Sequence, residues 1–256
     1  MKLQYRKYGE TGPAVVILHG FLGSSDNWHG VAKALSFDCT VYTLDQRNHG
    51  RSPHSAHFTY PDMVADLIEF LDDVGLKSVV LLGHSMGGKT AMFAATSHPE
   101  RIWKLIVADM GVKRYSENPA EILDVLRQLP VEKQATRREA DALLAQKISD
   151  LAVRQLLLKN LARKRDGRFF WRIPLQTLRA VSQNILIALP DDARFEGPVL
   201  FIRGEKSPYI RDEDVPEIRQ RFPKMSLKTI PNAGHWLHVE AFDAFVQAVH
   251  RFIFEN

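Results

Sequence analysis

The 256-residue chain predicts an α/β fold, a mostly parallel central sheet covered by helices, on three observations. Short runs rich in Val, Ile and Leu recur along it, as strands buried on both faces require. Helical spacing fills the intervals between these runs, and turn residues such as Gly75 and Pro99 close the helical stretches.

The elements follow in order. A short alternating segment opens the chain, and apolar runs at Ala14–Leu18 and Thr40–Leu44 read as the first buried strands. Thr59 with Asp62 forms a capping box, and Tyr60, Val64, Leu67, Leu71 and Val74 then repeat at helical spacing until Gly75. Residues 78–82 form the next strand, 86–98 a helix closed by Pro99, and Ile102–Ala108 another strand. The alternation then stops. Ile122, Val125, Leu126 and Leu129, then Leu143, Leu144, Ile148, Leu151, Leu156 and Leu157, repeat at helical spacing, and the aromatic string FFWRIPLQTL follows. We expect residues 116–188 to be an all-helical lid inserted into a core made of 1–115 and 189–256. Residues 198–202 and 226–230 supply the last strands. A final helix over 240–254 carries Phe242, Phe245, Val246 and Val249 on one stripe.

Composition narrows the function. Hydrophobic residues make up 45% and charged residues 25%, which suits a globular domain. Cys39 is the single cysteine, so no internal disulfide and no multi-cysteine metal site can form. No metal or redox cofactor is implied. The formal charge of +4 is not spread evenly: residues 111–170 hold thirteen Lys and Arg against eight Asp and Glu. No nucleic-acid-binding motif accompanies that excess. The first apolar run has five residues, too few for a signal-peptide core or a membrane span, and we read a soluble cytoplasmic protein.

Three strand ends carry the chemistry. GHSMGG, directly behind the strand at 78–82 and before a helix, has the G-x-S-x-G pattern that forces a sharp turn and presents a serine hydroxyl at the sheet edge. Ser85 is the candidate nucleophile. His235 in NAGHWLHVE lies between the last strand and the last helix, where a loop can carry an imidazole over the serine; imidazole is the side chain that titrates near neutrality. His238 competes, with a structural or capping role as its better reading. His84 and His49 read as loop-orienting residues, and His54, His57 and His98 as surface or turn residues. HGFLGSSDNW, behind the first buried strand, is placed to supply a backbone amide to a carbonyl oxyanion. Phe21 and Met86 are expected to contribute their N–H groups.

HGFLGSSDNW, DQRNHGRSP, GHSMGGKTAM and NAGHWLHVE together resemble the α/β-hydrolase superfamily, and most of all its small bacterial esterase/thioesterase branch and the related mitochondrial abhydrolase proteins. The resemblance runs almost end to end and is weakest in the lid. It implies the α/β-hydrolase fold, cofactor-free hydrolysis of acyl esters or thioesters, serine and histidine roles on Ser85 and His235, and oxyanion amides on Phe21 and Met86. The same superfamily contains lyases, C–C hydrolases and slowly hydrolysing ligand receptors, so a menaquinone-pathway-like lyase, a C–C hydrolase and a receptor are the alternatives. A serine at the elbow excludes alkyl-enzyme chemistry of the dehalogenase and epoxide hydrolase kind, which requires a carboxylate nucleophile.

One departure from the family pattern is informative. Many members place the triad acid after the strand that follows the lid, but there this chain reads RGEKSPYI, with Ser207 where the aspartate is expected. Asp109, at the end of the strand after the nucleophile helix, is the foremost substitute, and Glu205, Asp212 and Asp214 are its rivals. Asp45 reads as a structural carboxylate paired with Arg47 or with the turn amides beside it. For the substrate we expect an apolar pocket of Leu22, Trp28, Phe170, Trp171, Ile173 and Trp236. Acyl-coenzyme A is a candidate partner of the lid's basic residues, although Arg163, Lys164 and Arg165 read more simply as a solvated face.

Overall fold

Branched apolar residues at successive positions face both sides of a strand, so the central strands need cover above and below. The structure, a computed structural model that describes residues 1–255, supplies it. In chain order come β1 (Tyr5–Tyr8), β2 (Ala14–Leu18), α1 (His29–Leu35), β3 (Thr40–Leu44), α2 (Tyr60–Asp73), β4 (Val79–His84), α3 (Met86–Ser97) and β5 (Ile102–Ala108). After the lid follow β8 (Val199–Gly204), α8 (Val215–Arg221), β9 (Met225–Ile230), α9 (Leu237–Glu240) and α10 (Phe242–Phe254). The seven strands lie in the order β1-β3-β2-β4-β5-β8-β9; β1 is antiparallel to β3, and every other pair is parallel.

Alternation along each strand divides the core. Val15, Ile17, Val80, Leu82 and Ile106 pack with Val31 and Leu35 of α1 and Phe245 and Val249 of α10. Val16, Leu18, Leu81, Leu105 and Val107 face the other way, onto α2 and α3. Thr59 caps α2 through the box expected of it, its hydroxyl accepting from the Asp62 amide.

The sheet reverses direction of growth at β2. The chain runs from β2 to β3 on one side and returns to place β4 on the other, so a crevice opens beyond the carboxyl ends of β2 and β4. The first loop and the elbow serine meet there.

Between β5 and β8 the chain forms α4 (Pro119–Gln128), α5 (Arg137–Ala145), α6 (Leu151–Leu158), β6 (Leu161–Arg163), β7 (Phe169–Trp171) and α7 (Leu175–Val181). The expectation of an all-helical insertion is therefore corrected. β6 and β7 pair antiparallel, with Leu161 opposite Trp171 and Arg163 opposite Phe169. The cause is local: aromatic Phe169, Phe170 and Trp171 favour a strand, and Asp166-Gly167, with Gly167 at φ +86°, closes the hairpin. Leu123, Leu126, Leu144 and Leu157 of this insertion share one apolar cluster with Leu18, Leu81 and Val107 of the sheet. At its neck, the Tyr115 amide donates to Leu186 O (2.9 Å) and the Leu189 amide to Val112 O (2.8 Å). Among the described residues no helix is long and apolar enough to cross a membrane.

Candidate active site

β4 runs straight into α3 because two glycines let the backbones touch. A β-carbon on Gly83 would lie 2.1 Å from Gly87 O, and one on Gly87 would lie 2.3 Å from Leu18 O. Between them Ser85 adopts φ 53°, ψ −120°, a conformation costly for a non-glycine residue, and keeps its side chain partly exposed above the sheet.

One strand over, Asp109 also has a positive φ, of 50°, and is fully buried. Its Oδ2 lies 2.7 Å from His235 Nδ1. A carboxylate can only accept, so Nδ1 carries the proton and Nε2 is left as the basic nitrogen. Ser207 Oγ donates to the same Oδ2, and the Gly204 amide donates to Oδ1 at 3.2 Å. Three donors thus compensate the burial of one charge. The rivals are engaged elsewhere: Glu205 accepts from the Asn232 amide, Asp212 pairs with Arg203, and Asp214 pairs with Lys113. Ser207 stands where the family's aspartate is expected, yet its hydroxyl reaches the carboxylate supplied from β5.

The loop after β2 returns against the elbow. A β-carbon on Gly20 would lie 3.2 Å from Ser85 Cβ, so Phe21, half-buried, follows directly beside the serine. Among the described residues no protein group accepts from the Phe21 or Met86 amides. Neutral histidines fix this loop. His49 Nε2 accepts from the Leu22 amide at 3.1 Å while Nδ1 donates to Arg47 O, and His19 Nε2 accepts from the Gln46 amide at 3.0 Å while Nδ1 donates to Gly20 O. Burial keeps them uncharged, pushing His19 down and His49 down to about 3. The role of His19 has no signal in the sequence. Asp45 holds the adjoining turn through the Ser25 and Arg51 amides, whereas Arg47 pairs with Asp66 at 2.6 Å instead.

His84 donates from Nε2 to His235 O at 2.9 Å and is held well below its ordinary pKa by burial. His238 is buried in the core, pushed down to about 3 by the same cause, and its ring stacks on Trp28 at 4.3 Å. The 3-10 turn at Ser25–Trp28 directs the indole to the α1 and α10 face, where it is fully buried. Leu22 and Ile173 are buried on the lid side of the sheet, while Phe170, Trp171 and Trp236 are half-buried; Trp236 stands edge-on to His235 at 5.3 Å. Trp171 is held by its indole N–H on Leu126 O at 3.1 Å. Asn160, a lid residue without a sequence signature, donates to Leu22 O at 2.7 Å and ties the insertion to the first loop. Arg163, Lys164 and Arg165 are exposed. A separate groove of about 850 Å³, lined by Trp103, Leu200, Lys228 and Phe252, lies where β5, β8 and β9 begin, at the end of the sheet away from Ser85.

Residues 13–242 match the model of the alpha/beta hydrolase fold. The chain belongs to that family. It is 39% identical to the sn-1-specific diacylglycerol lipase ABHD11 of Mus musculus over 253 residues, 95% of this chain and 81% of the relative. It is 32% identical to esterase YbfF of Escherichia coli over 240 residues, covering 93% and 92%. Among solved structures it is similar to a marine microorganism esterase, with a TM-score of 0.94, 41% identity, and coverage of 98% and 99%. As a member of this hydrolase family with a serine at the elbow, the chain is a serine hydrolase of the kind that cleaves acyl esters or thioesters.

Proposed function

We propose that Ser85, His235 and Asp109 are the catalytic triad and that the Phe21 and Met86 amides form the oxyanion hole. His235 Nε2 takes the Ser85 proton as the hydroxyl attacks the acyl carbon, and Asp109 stabilises the imidazolium that results. The tetrahedral oxyanion accepts from the two amides and collapses to an acyl-enzyme as the imidazolium protonates the leaving alcohol or thiol. Water, deprotonated by the same imidazole, then releases the carboxylic acid. The observation that carries this reading is the 2.7 Å contact between His235 Nδ1 and the buried Asp109 carboxylate, beside a serine in an elbow conformation. The amides' freedom from protein acceptors supports the oxyanion assignment.

Phe21, Phe170, Trp171 and Trp236, half-buried, are our proposed acyl-chain contacts, and the names of the relatives favour oxygen esters of apolar acids, with coenzyme A thioesters as the second class. Initial rates on 4-nitrophenyl esters from acetate to dodecanoate and on butyryl-coenzyme A test this. The wild type should turn over the esters, and Ser85→Ala should lose roughly 10⁴-fold or more in kcat with its melting temperature kept. Undiminished turnover by Ser85→Ala would overturn the reading.

A further inference from the structure

The imidazole of His235 is covered on one face by an aromatic ring outside the triad. Tyr209, in the loop after β8, stacks on it with ring centroids 4.1 Å apart and planes 18° from parallel. Tyr209 itself is clamped. Its amide donates to Ser207 Oγ at 3.3 Å, and its carbonyl accepts from the Tyr115 hydroxyl at 2.8 Å. The Tyr115 oxygen in turn accepts from the Gly111 amide at 2.7 Å. Tyr115 is buried at the lid neck, near two lysines. Lys89 Nζ lies 5.2 Å from its ring centre and donates to Val112 O and Lys113 O; Lys113 Nζ lies 5.7 Å away and pairs with Asp214.

We propose that Tyr209 is a positioning residue for the proposed base, its ring fixing the plane of the His235 imidazole and favouring the imidazolium, and that Tyr115 holds Tyr209 there from the neck of the lid. The inference rests on the reading of His235 as the base. An imidazole hinged on one Nδ1–H bond can still rotate about that bond, and a ring stacked on its face removes that freedom. The face of a tyrosine is electronegative and attracts a cation, so the stack strengthens when the proton arrives from Ser85. Around the imidazole stand Asp109 from β5, His84 from β4 with His238 of α9 against it, and Trp236 edge-on. Burial holds both histidines neutral, so Asp109 supplies the opposite charge and Tyr209 the stacked π face. Burial, with the Glu117 and Asp109 charges adding to it, pushes the Tyr209 hydroxyl up to about 12, so Tyr209 stays uncharged throughout the working range.

The test is the pH dependence of kcat/KM for 4-nitrophenyl butyrate from pH 5 to 9 in the full chain, for wild type, Tyr209→Leu, Tyr209→Phe and Tyr115→Phe. Leucine keeps water off the imidazole but removes the π face. Tyr209→Leu should lower kcat about tenfold, leave KM within roughly twofold, and move the rising acid limb about half a pH unit lower. Tyr209→Phe should track the wild type, and Tyr115→Phe, which loses only the hydroxyl, should move in the direction of Tyr209→Leu by a smaller amount. A Tyr209→Leu profile that coincides with the wild type overturns the proposal; if that variant does not fold, an unshifted Tyr115→Phe profile does so. His235→Asn separates the two failures: an active His235→Asn sinks the base assignment itself, whereas an inactive one beside an unshifted Tyr209→Leu sinks only the role of Tyr209.

Discussion

In the proposed triad, Asp109 and Ser207 divide between them a task that many members of the family give to one side chain after the post-lid strand. The carboxylate comes from β5, and the serine at the vacated position donates to it, so a group that cannot hold His235 instead steadies the one that can. Asp109→Asn keeps the size of the side chain and removes its charge, and should lower kcat roughly 10²- to 10⁴-fold. Ser207→Ala should cost less, about tenfold, because it deletes one donor of three. Glu205→Gln, Asp212→Asn and Asp214→Asn should retain most turnover, since their carboxylates serve an amide, Arg203 and Lys113. Steady-state rates on one short ester compare all five. An Asp109→Asn enzyme near wild type, with one of the last three collapsed, would move the acid to the far side of the lid.

Among the elements, those with long periodic patterns are legible in the amino-acid sequence alone. The capping box and five apolar positions mark α2, and the glycine-flanked serine marks the β4 to α3 elbow. The lid hairpin is not legible in this way, because three-residue strands are too short to display alternation, although Asp166-Gly167 is a turn signal within it. The direction of Trp28 depends on a 3-10 turn that swings it to the far face of the sheet, and residue type alone gives no hint of that. The bond from Ser207 to Asp109 spans 98 positions, and that from Asn160 to Leu22 spans 138, distances over which no local pattern carries information. The elements between β5 and β8 are proposed to select the acyl chain. Trp171→Ala should therefore change the ratio of octanoate to acetate hydrolysis by about tenfold while leaving the acetate rate within twofold. An unaltered ratio would place chain-length selection in the core elements.

At the scale of the whole molecule, the neutral histidines of the core link folding to pH. His19, His49, His84 and His238 are all buried and all lowered by desolvation, His49 and His238 to about 3. The unfolded chain binds their protons near pH 6.5 while the folded chain does not, so the stability they contribute is full above about 6.5 and is lost as pH falls below it, down to about 3 for His49 and His238. Each titrating site costs about 1.4 kcal/mol per pH unit in that window, which is large against a total of roughly 5–15 kcal/mol. The melting temperature should be flat from pH 7 to 8 and fall steeply between 6 and 4.5; a flat curve down to pH 5 would mean the histidines charge in place. The loop that two of these neutral histidines hold packs against Ser85, whose proposed role as nucleophile is the assignment on which the others rest. Peptide mapping by mass spectrometry after brief reaction with a fluorophosphonate tests it most directly, on the wild type and on His235→Asn. One adduct per chain is expected, on Ser85, formed at least roughly 100-fold more slowly in His235→Asn. An adduct on another residue, or equal labelling rates in the two proteins, would contradict it.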